Sequence, residues 1–498
     1  MTLVGALASA ALIGLAARLE SPLHLLAFVV LVPWLMGLER ARSVWAALLS
    51  GVVMALAMAA TVFWWFPAAI AGYTGGSHAV AWLILLAVAP FVLEPQFLVV
   101  AVFRHLASRG RGVTAGVAVA AALAYVGAEW ALPKLFSDTL GALLYPAEGL
   151  RQAADLSGVR GLTLLVVLAN EALCALAVRR RLGLAAGAAA LIAAAAFYGN
   201  TRLADVRART AAAPTFTAGI VQANILAYDK LAAERGTYDA VVAILDAHFA
   251  LSERLLADGK LDLLVWPETV YPTTLGHPKS EAARDFDAAI VRLSQHVPLV
   301  LGAFDADPAG EYNAAFFLGK RFSVYRKSLL FPMTERLPTW LDTDWARRTM
   351  PWAGRWRAGP GPSVLLLEGV PFGPLICYEA LDAEYVAEEV RIGARVLMVL
   401  SNDGWFTEPG ARLHLMTAAF RSIETRRPML RAANSGISTL VLPDGTLVDP
   451  TRFASETTLR VRVPLLSLDT PMIAWGHFLG PVSLALAALL AVLRRRLP

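Results

Sequence analysis

Long apolar stretches separated by short polar ones dominate the first two hundred residues, and one more apolar stretch lies near the end of the chain. A helix needs about 20 apolar residues to cross the hydrocarbon core of a bilayer. The pattern predicts eight membrane-spanning helices, at residues 2–18, 24–38, 44–66, 80–103, 113–131, 161–178, 182–198 and 472–493. We therefore expect a seven-helix membrane domain over residues 1–200 and a C-terminal transmembrane helix within residues 470–498.

Between these regions the pattern changes to short apolar runs that alternate with amphipathic segments. Short apolar runs bounded by turn residues indicate strands, and apolar residues at helical spacing indicate helices. The predicted strands are 216–222, 261–266, 299–304, 321–325 (an edge strand), 363–367, 373–377, 396–401 and 436–442, and the predicted helices are 238–256, 280–296, 382–392 and 413–426. This alternation is typical of a layered α/β domain, which we place at residues 214–466, after a short polar linker at 201–209.

Composition and charge support a membrane protein. The chain is 57% hydrophobic and 17% charged, whereas soluble domains are about 45–50% apolar and about 25% charged. Its net charge of +5 comes from arginines clustered beside apolar stretches, a pattern that favours topology signals, so we expect no nucleic-acid partner. Cys174 lies in an apolar stretch and Cys377 in the α/β region, so no disulfide is expected between them.

The arginine clusters test the helix count, because positive residues collect on the cytoplasmic side of a membrane. They follow the second, fourth, sixth and eighth apolar stretches: Arg40 and Arg42; Arg104, Arg109 and Arg111; Arg179, Arg180 and Arg181; Arg494, Arg495 and Arg496. Residues 67–79 contain no lysine or arginine and would lie on the opposite side. This parity makes the N-terminus cytoplasmic and the α/β domain extracytoplasmic.

Three residues with complementary chemistry lie at or just beyond the ends of predicted strands: Glu268, Lys327 and Cys377. A free thiol is mostly protonated at neutral pH, an adjacent carboxylate can accept its proton, and a lysine can stabilise the resulting charge. Together the three residue types suit acyl transfer. Each also fits an ordinary role, since a cysteine often packs in a core, a glutamate caps a helix and a lysine lies on the surface.

Five motifs in order resemble the nitrilase superfamily of carbon–nitrogen hydrolases: Trp266-Pro267-Glu268-Thr269, Arg326-Lys327, Cys377-Tyr378-Glu379, Ser401-Asn402-Asp403-Gly404-Trp405-Phe406 and Arg431-Ala432-Ala433-Asn434-Ser435-Gly436. One branch, the apolipoprotein N-acyltransferases, combines a multi-span N-terminal domain, a periplasmic nitrilase-like domain and a final span. The chain resembles that branch over nearly its whole length. The resemblance implies a polytopic helical membrane domain joined to an α-β-β-α nitrilase-like domain in the inner membrane of a bacterium.

The resemblance also implies roles for individual residues. Glu268 would be the general base, Cys377 the nucleophile that accepts an acyl chain from a phospholipid, and Lys327 the group that stabilises the tetrahedral intermediate. The supporting residues would be Glu335, Tyr378, Glu379 and Asn313. The acceptor would be the N-terminal amine of diacylglyceryl-cysteine in an apolipoprotein. From the residues themselves we expect no cofactor and no metal, because no Cys/His cluster has zinc-ligand spacing, and the membrane domain favours a monomer.

The chain departs from the family pattern in three places. It has Pro332-Met333-Thr334-Glu335 where the family usually has Pro-Phe-Gly-Glu, and residues 137–141 replace an aromatic Gly-Phe-Pro-Trp stretch. A tryptophan expected after the first strand of the α/β domain is missing, and Tyr228 is the nearest aromatic residue. These departures affect acceptor or lipid recognition more than the three catalytic candidates.

Two further groups of residues are candidates for function. Residues 338–357 contain Trp340, Trp345, Trp352 and Trp356 with Arg347, Arg348, Arg355 and Arg357, which suits either a lid at the membrane interface or a folded loop with buried tryptophans. Glu94, Glu129 and Glu171 lie in or beside apolar stretches, where a carboxylate is costly and functional roles are common. His414 and His477 lack partners at metal-ligand spacing, so we interpret them as packing residues.

Three functions compete on this sequence. The first is the N-acyltransferase. The second is a membrane-tethered nitrilase-like amidase that hydrolyses a C–N bond, where water in place of an amine resolves the acyl-enzyme. The third is a non-catalytic scaffold or transporter, which the intact Glu268, Lys327 and Cys377 disfavour. Eight predicted spans favour a lipid substrate, because a small polar amide needs no such platform.

Overall fold

A computed structural model describes residues 2–108, 114–225, 236–277 and 281–496. Arg109, Arg111 and Tyr228 lie outside the described residues, as do the side chains of His477 and of residues 494–496. The chain divides into two compact units, one made of Met1–Asp205 with Thr470–Pro498 and the other of Val206–Asp469.

The first unit is helical. Its helices are α1 (Thr2–Ala16), α2 (Val32–Leu38), α3 (Val44–Val62), α4 (Phe66–Thr74), α5 (His78–Val88), α6 (Gln96–Ser108), α7 (Ala115–Ala131), α8 (Glu148–Arg151), α9 (Ala154–Arg179) and α10 (Leu182–Ala212). Two more, Pro471–Trp475 and Leu479–Arg496, follow the α/β unit in the chain. Among the described residues, α3, α9 and α10 are long and apolar enough to cross a membrane.

Several predicted spans are interrupted. The predicted span 24–38 is a 3₁₀ helix, Leu23–Phe28, followed by the short α2. The predicted span 80–103 is divided by a π-helical turn, Ala89–Leu93, because Pro90 and Pro95 each remove a backbone donor. Counted by length and composition, the described helices give at most four spans, so the eight predicted from the sequence stay a prediction.

Residues 67–79, expected as a loop, are partly helical. They contain most of α4, which ends at Gly75 in a left-handed conformation, and Ser77 then caps α5 by accepting from the Val80 amide. The helices on either side of this break are bent by 120°. The pair is therefore either a broken span or a re-entrant loop.

The polar linker predicted at 201–209 is wrong, because these residues form part of α10. The segment contains no glycine or proline and is rich in alanine and arginine, which favour helix. Arg202 pairs with Asp205 one turn later at 2.9 Å and with Asp155 of α9 at 2.8 Å. Polarity alone does not end a helix.

The three glutamates that the sequence places in or beside apolar stretches have cationic neighbours. Arg104 donates to both carboxylate oxygens of Glu171, at 2.8 and 3.1 Å. The Lys134 ammonium lies 3.9 Å from Glu94 and 4.0 Å from Glu129. All five side chains are buried. Pairing accounts for how these carboxylates are tolerated, and a functional role for them stays a prediction.

The second unit contains two sheets. One has the order β13-β1-β2-β4-β5-β6, with β3 also pairing with β4, and the other has the order β12-β11-β10-β9-β8-β7. The strands are β1 (Thr215–Gln222), β2 (Leu263–Val265), β3 (Tyr271–Thr274), β4 (Leu299–Asp307), β5 (Gly310–Leu318), β6 (Phe322–Arg326), β7 (Leu365–Leu367), β8 (Val370–Ile376), β9 (Val396–Ser401), β10 (Met429–Ala433), β11 (Thr439–Val441), β12 (Leu447–Val448) and β13 (Thr457–Pro464). The edge position predicted for the strand that became β6 is confirmed.

Helices cover the outer faces of the two sheets. They are α11 (Thr237–Ala257), α12 (Glu281–His296), α14 (Ala383–Arg391) and α15 (Glu408–Thr425), whereas the short α13 (Asp344–Thr349) lies in the segment between β6 and β7. Inner faces of both sheets share one core, in which Phe317 packs in the same cluster as Phe372. Ile244 of α11 packs on the outer face of the first sheet, and Glu389 of α14 lies against Gly373 on the outer face of the second. This is the predicted α-β-β-α layering, and parallel strands β2 and β8 end close to Glu268 and Cys377.

Candidate active site

Glu268 follows β2 in a segment that packs tightly against β4. The indole of Trp266 donates to the Ser252 hydroxyl of α11 at 2.9 Å, which anchors the end of the strand. A Cβ at Gly302 of β4 would lie 2.6 Å from the Glu268 Cα, so only glycine permits this approach. The backbone of Glu268 is therefore fixed from two sides, and its carboxylate is buried.

Lys327 follows β6 and lies between two carboxylates. Its ammonium is 2.7 Å from Glu335 Oε1 and 3.5 Å from Glu268 Oε1, and the residue is 1% exposed. The Asn313 amide of β5 donates to Glu268 Oε1 at 2.8 Å and to Glu335 Oε1 at 3.3 Å. Glu335 Oε2 accepts from the Phe331 amide at 2.6 Å. The structure thus brings together three of the predicted site residues around Lys327.

Cys377 immediately follows β8 and adopts a left-handed backbone conformation, with φ of 52°. Glu379 holds this turn, because its Oε2 accepts from the Ile376 amide at 2.7 Å. Its Oε1 accepts from the Tyr325 hydroxyl at 2.6 Å and from the Ser328 amide at 2.7 Å. A single buried carboxylate therefore ties the strand end before Cys377 to the residue after Lys327.

Charges and burial set the protonation of these groups. Burial and the nearby Glu268 raise the pKa of Cys377, and Lys327 opposes them, so the resting thiol is protonated. Burial also raises the pKa of Glu268, although Lys327 and Asn313 favour its carboxylate form. Burial disfavours the Lys327 ammonium, but Glu335 and Glu268 outweigh it and raise the pKa of Lys327. The cluster therefore holds a fixed cation beside a carboxyl group able to exchange a proton.

Glu379 and Tyr378 also have raised pKa values. Burial raises the pKa of Glu379 to about 7, against the hydrogen bonds from Tyr325 and Ile376. Burial raises the pKa of Tyr378 to about 12, and its ring packs edge-on against Phe331 at 5.1 Å between centroids. Tyr378 thus lies beside the loop that carries Glu335.

Sequence reasoning missed a second polar group at this site. The Asn402 backbone amide donates to Glu268 Oε2 at 2.9 Å. His414 is buried, as packing predicts, but Nε2 of its imidazole lies 3.3 Å from the Cys377 carbonyl oxygen. Its Nδ1 lies 3.1 Å from Asp403, which in turn accepts from Arg431 at 2.7 Å. Cys377 and His414 are 37 positions apart in the sequence, a separation that carries no signal for this contact.

Three of these residues have the chemistry of metal ligands. Ligand atoms of Cys377, Asp403 and His414 lie within 4.8 Å of one another. The Arg431 guanidinium, however, already neutralises Asp403. Arg431 supplies the positive charge that a metal ion would bring, so Asp403 and Arg431 form an ion pair beside the thiol in place of a metal site.

Residues 338–357 form a folded segment with a small core of Leu337, Ala346 and Ala353. Trp340 and Trp345 are exposed, at 79% and 62% of their surface.

Other members of this segment are engaged within the protein. Trp356 packs on Phe304 with ring centroids 4.6 Å apart, and Trp352 is partly buried. Arg347 pairs with Asp342 at 2.6 Å, whereas Arg348 is exposed. The segment therefore has a packed interior and displays two tryptophans, and its role as a lid at the membrane interface stays a prediction.

Two family matches cover most of the chain. Residues 217–469 match the carbon-nitrogen hydrolase family, and residues 9–172 match the apolipoprotein N-acyltransferase N-terminal domain. Among solved structures, yeast Nit3 of the nitrilase superfamily covers 50% of this chain and 90% of its own at 17% identity and a TM-score of 0.37. An amidase from Nesterenkonia covers 52% and 92% at 17% identity and a TM-score of 0.37.

Curated relatives carry the name apolipoprotein N-acyltransferase. That of Sinorhizobium fredii is 34% identical over 438 residues, which are 80% of this chain and 78% of the relative. That of Geobacter metallireducens is 27% identical over 95% of this chain and 91% of the relative. The match to that of Bdellovibrio bacteriovorus, 31% identical, spans about half of each protein, 52% and 51%. The chain belongs to the apolipoprotein N-acyltransferase family, and its α/β unit is a carbon–nitrogen hydrolase domain.

Proposed function

We propose that this protein transfers an acyl chain from a membrane phospholipid, through a thioester on Cys377, to the N-terminal amine of diacylglyceryl-cysteine in apolipoproteins. One observation carries the chemistry: the Lys327 ammonium lies 3.5 Å from Glu268 in a buried cluster, and Glu379 joins the strand end before Cys377 to the residue after Lys327. Family membership supports the acceptor and the donor.

In the first half-reaction, the Cys377 sulfur attacks the ester carbonyl carbon of the phospholipid while Glu268 accepts the thiol proton. Lys327 stabilises the negative charge that develops on the carbonyl oxygen, because its ammonium is fixed in place before the reaction. Collapse of the intermediate breaks the C–O bond and leaves a thioester. The departing alkoxide takes the proton from Glu268 and leaves as a lysophospholipid.

In the second half-reaction, the neutral acceptor amine attacks the thioester carbonyl carbon. A C–N bond forms, the C–S bond breaks, and the amine proton passes through Glu268 to the departing sulfur. The thioester thus divides one difficult amide synthesis into two easier transfers. Burial raises the pKa of Glu268, which favours its acting as an acid as well as a base.

Supporting residues hold these groups in position. Glu335 fixes the Lys327 ammonium at 2.7 Å, and Asn313 orients the Glu268 carboxylate at 2.8 Å. Glu379 sets the turn at Cys377 through the Ile376 amide. These contacts support a role in alignment, which matters because small displacements of reacting groups slow catalysis strongly.

The membrane setting is the second part of the proposal. The protein is an inner-membrane protein of a bacterium, since its relatives are bacterial and it contains apolar helices long enough to span. We propose eight spans, a monomeric enzyme that binds no nucleic acid, and a catalytic unit on the extracytoplasmic side. The exposed Trp340 and Trp345 suit contact with lipid headgroups, in a segment that also carries Arg347 and Arg348.

Incubation with phospholipid labelled in one acyl chain tests the proposal. Wild-type protein should acquire a label that hydroxylamine removes, and Cys377→Ser should acquire none that hydroxylamine removes. Adding a diacylated lipopeptide should move the label to the peptide amine. Release of free fatty acid with no acylated peptide would instead establish a hydrolase, and an unchanged label on Cys377→Ser would overturn the thioester.

Transfer assays with two donors examine the role of the exposed tryptophans. Trp340→Ala combined with Trp345→Ala should slow transfer from phospholipid in vesicles but leave transfer from a monomeric short-chain donor unchanged. Equal losses with both donors would exclude a lipid-facing role.

In sealed spheroplasts, an impermeant thiol reagent should reach a cysteine placed at the exposed Glu311 if the catalytic unit is extracytoplasmic. Protection there would place the unit on the cytoplasmic side.

A further inference from the structure

Two residues other than glycine adopt left-handed backbone conformations at the ends of neighbouring strands. Cys377 follows β8 with φ of 52°, and Asp403 lies just beyond β9 with φ of 53°. Such a conformation is unfavourable for a residue with a Cβ, so surrounding contacts must hold it in place. One side chain, His414 of α15, contacts both residues.

The imidazole of His414 is surrounded by polar partners in the protein interior. Its Nε2 lies 3.3 Å from the Cys377 carbonyl oxygen, and its Nδ1 lies 3.1 Å from Arg431 Nη2. The same Arg431 nitrogen donates to Asp403 Oδ2 at 2.7 Å. Three elements, β9, β10 and α15, therefore meet at the turn that carries the nucleophile.

These partners fix where the imidazole proton lies. Because a carbonyl oxygen only accepts, the contact with Cys377 requires a proton on Nε2. A guanidinium only donates, so Arg431 lies against Nδ1 as a donor to its lone pair. Asp403 Oδ1 accepts from the Ser401 hydroxyl at 2.6 Å and also lies 3.1 Å from Nδ1. The Nε2–H group then donates to the Cys377 carbonyl.

Holding that carbonyl has a consequence for the next residue. The peptide that joins Cys377 to Tyr378 is planar and trans, so its C=O and N–H point in opposite directions. With the oxygen held towards His414, the Tyr378 N–H is turned away from that side chain. This N–H is only a few bonds from the reactive sulfur, where an acyl oxygen develops negative charge.

We propose that His414 is a positioning residue, which holds the Cys377 carbonyl so that the Tyr378 N–H donates to the acyl oxygen together with Lys327. The proposal rests on the acyl transfer at Cys377 inferred above. Asp403 and Arg431 act through His414, since Arg431 fixes the tautomer and Asp403 holds Arg431. None of the three would contact the substrate.

The test compares two reactions of the same thiol in the purified full-length protein. In His414→Ala, formation of the acyl-enzyme from labelled phospholipid should slow by about 30–100-fold, as when an oxyanion donor is misaligned. Alkylation of Cys377 by iodoacetamide passes through no oxyanion and should change little. His414→Gln keeps a donor at the end of its side chain and should restore most of the acylation rate.

Thr417→Ala is the matched control, because this buried hydroxyl of α15 donates to the helix backbone at Leu413. It should leave both reactions unchanged. Equal losses of acylation and alkylation in His414→Ala, or a normal acylation rate, would overturn the proposal. If the alanine variant does not fold, an acylation loss in folded His414→Gln as large as about 30-fold would overturn it as well. A wild-type protein that forms no acyl-enzyme would contradict the underlying function instead.

Discussion

Two buried carboxylates flank the Cys377 thiol, and their surroundings drive their pKa values in opposite directions. The Lys327 ammonium contacts both Glu335 and Glu268, the latter at 3.5 Å. Burial raises the pKa of Glu268. Burial also acts on Asp403, but Arg431, at 2.7 Å, outweighs it and lowers the pKa well below the usual range.

The difference teaches how one buried site separates two tasks. A carboxylate with an incomplete countercharge can accept and return a proton, whereas a fully paired carboxylate keeps its charge and orients its neighbours. Glu268 comes from the seven-stranded sheet and Asp403 from the six-stranded sheet. Proton exchange and alignment are thus assigned to residues that follow strands of different sheets.

Removing the exchangeable carboxylate should have the largest effect. Glu268→Gln keeps the volume and the contact with Asn313, but it cannot accept the thiol proton. We expect acyl-enzyme formation to fall by about 10³-fold, within the range for loss of a general base. Single-turnover labelling measures this rate, with Glu311→Gln, an exposed carboxylate of β5, as the control. A loss below about tenfold would show that the proton leaves by another route.

Neutralising the paired carboxylate should give a smaller catalytic effect but a larger loss of stability. Asp403→Asn leaves the buried Arg431 without its countercharge, so the free energy of unfolding should fall by about 3 kcal/mol. Because the pKa of Asp403 is lowered in the folded protein, the stabilising effect of its charge is fully present above the unfolded-state pKa of about 4. This stabilising effect is lost as the pH falls towards the folded-state pKa.

Thermal unfolding of both proteins in detergent at pH 7 measures this difference. Acylation in the folded Asp403→Asn variant should slow by about 10–100-fold, less than in Glu268→Gln. If Asp403→Asn slowed acylation as much as Glu268→Gln and left unfolding unchanged, the two carboxylates would share one task, and the comparison would fail.

The smallest effect should be a shift in pH dependence. Asn313 donates to the Glu268 carboxylate and so lowers its pKa, against the effect of burial. In Asn313→Ala the carboxylate should become easier to protonate, and the acidic limb of acylation should move to higher pH by on the order of one unit. Rates from pH 4 to 9 measure the limb. A shift to lower pH would contradict the assignment of Glu268 as the base.

The sequence predicts the layered fold and the main catalytic candidates because both leave local signals. Alternating apolar runs indicate the strands, and Glu268, Lys327 and Cys377 follow predicted strands in motifs that resemble a known family. Strands β5 and β10 have no such signal, since each combines two alanines with polar residues. Those polar residues, Asn313 and Arg431, belong to the candidate site. Their presence interrupts the apolar pattern from which strands β5 and β10 would be predicted.

Other features depend on distant contacts that no local pattern records. His414 meets Cys377 and Asp403 only after α15 has packed beside β8 and β9. In the helical unit, Arg202 joins Asp155 across 47 residues, and residues expected to form a linker are helical instead. Tertiary context decides such positions, which is why local polarity predicted them wrongly.

The bridge made by Glu379 constrains how a two-substrate reaction proceeds. Its carboxylate joins the Ile376 amide, before Cys377, to the Ser328 amide, after Lys327. The spacing between the Cys377 sulfur and the Lys327 ammonium is thereby held by a few hydrogen bonds from one side chain. We expect this spacing to persist through both half-reactions of the proposed transfer, so that donor lipid and acceptor peptide move in and out while the thiol and the ammonium stay in place.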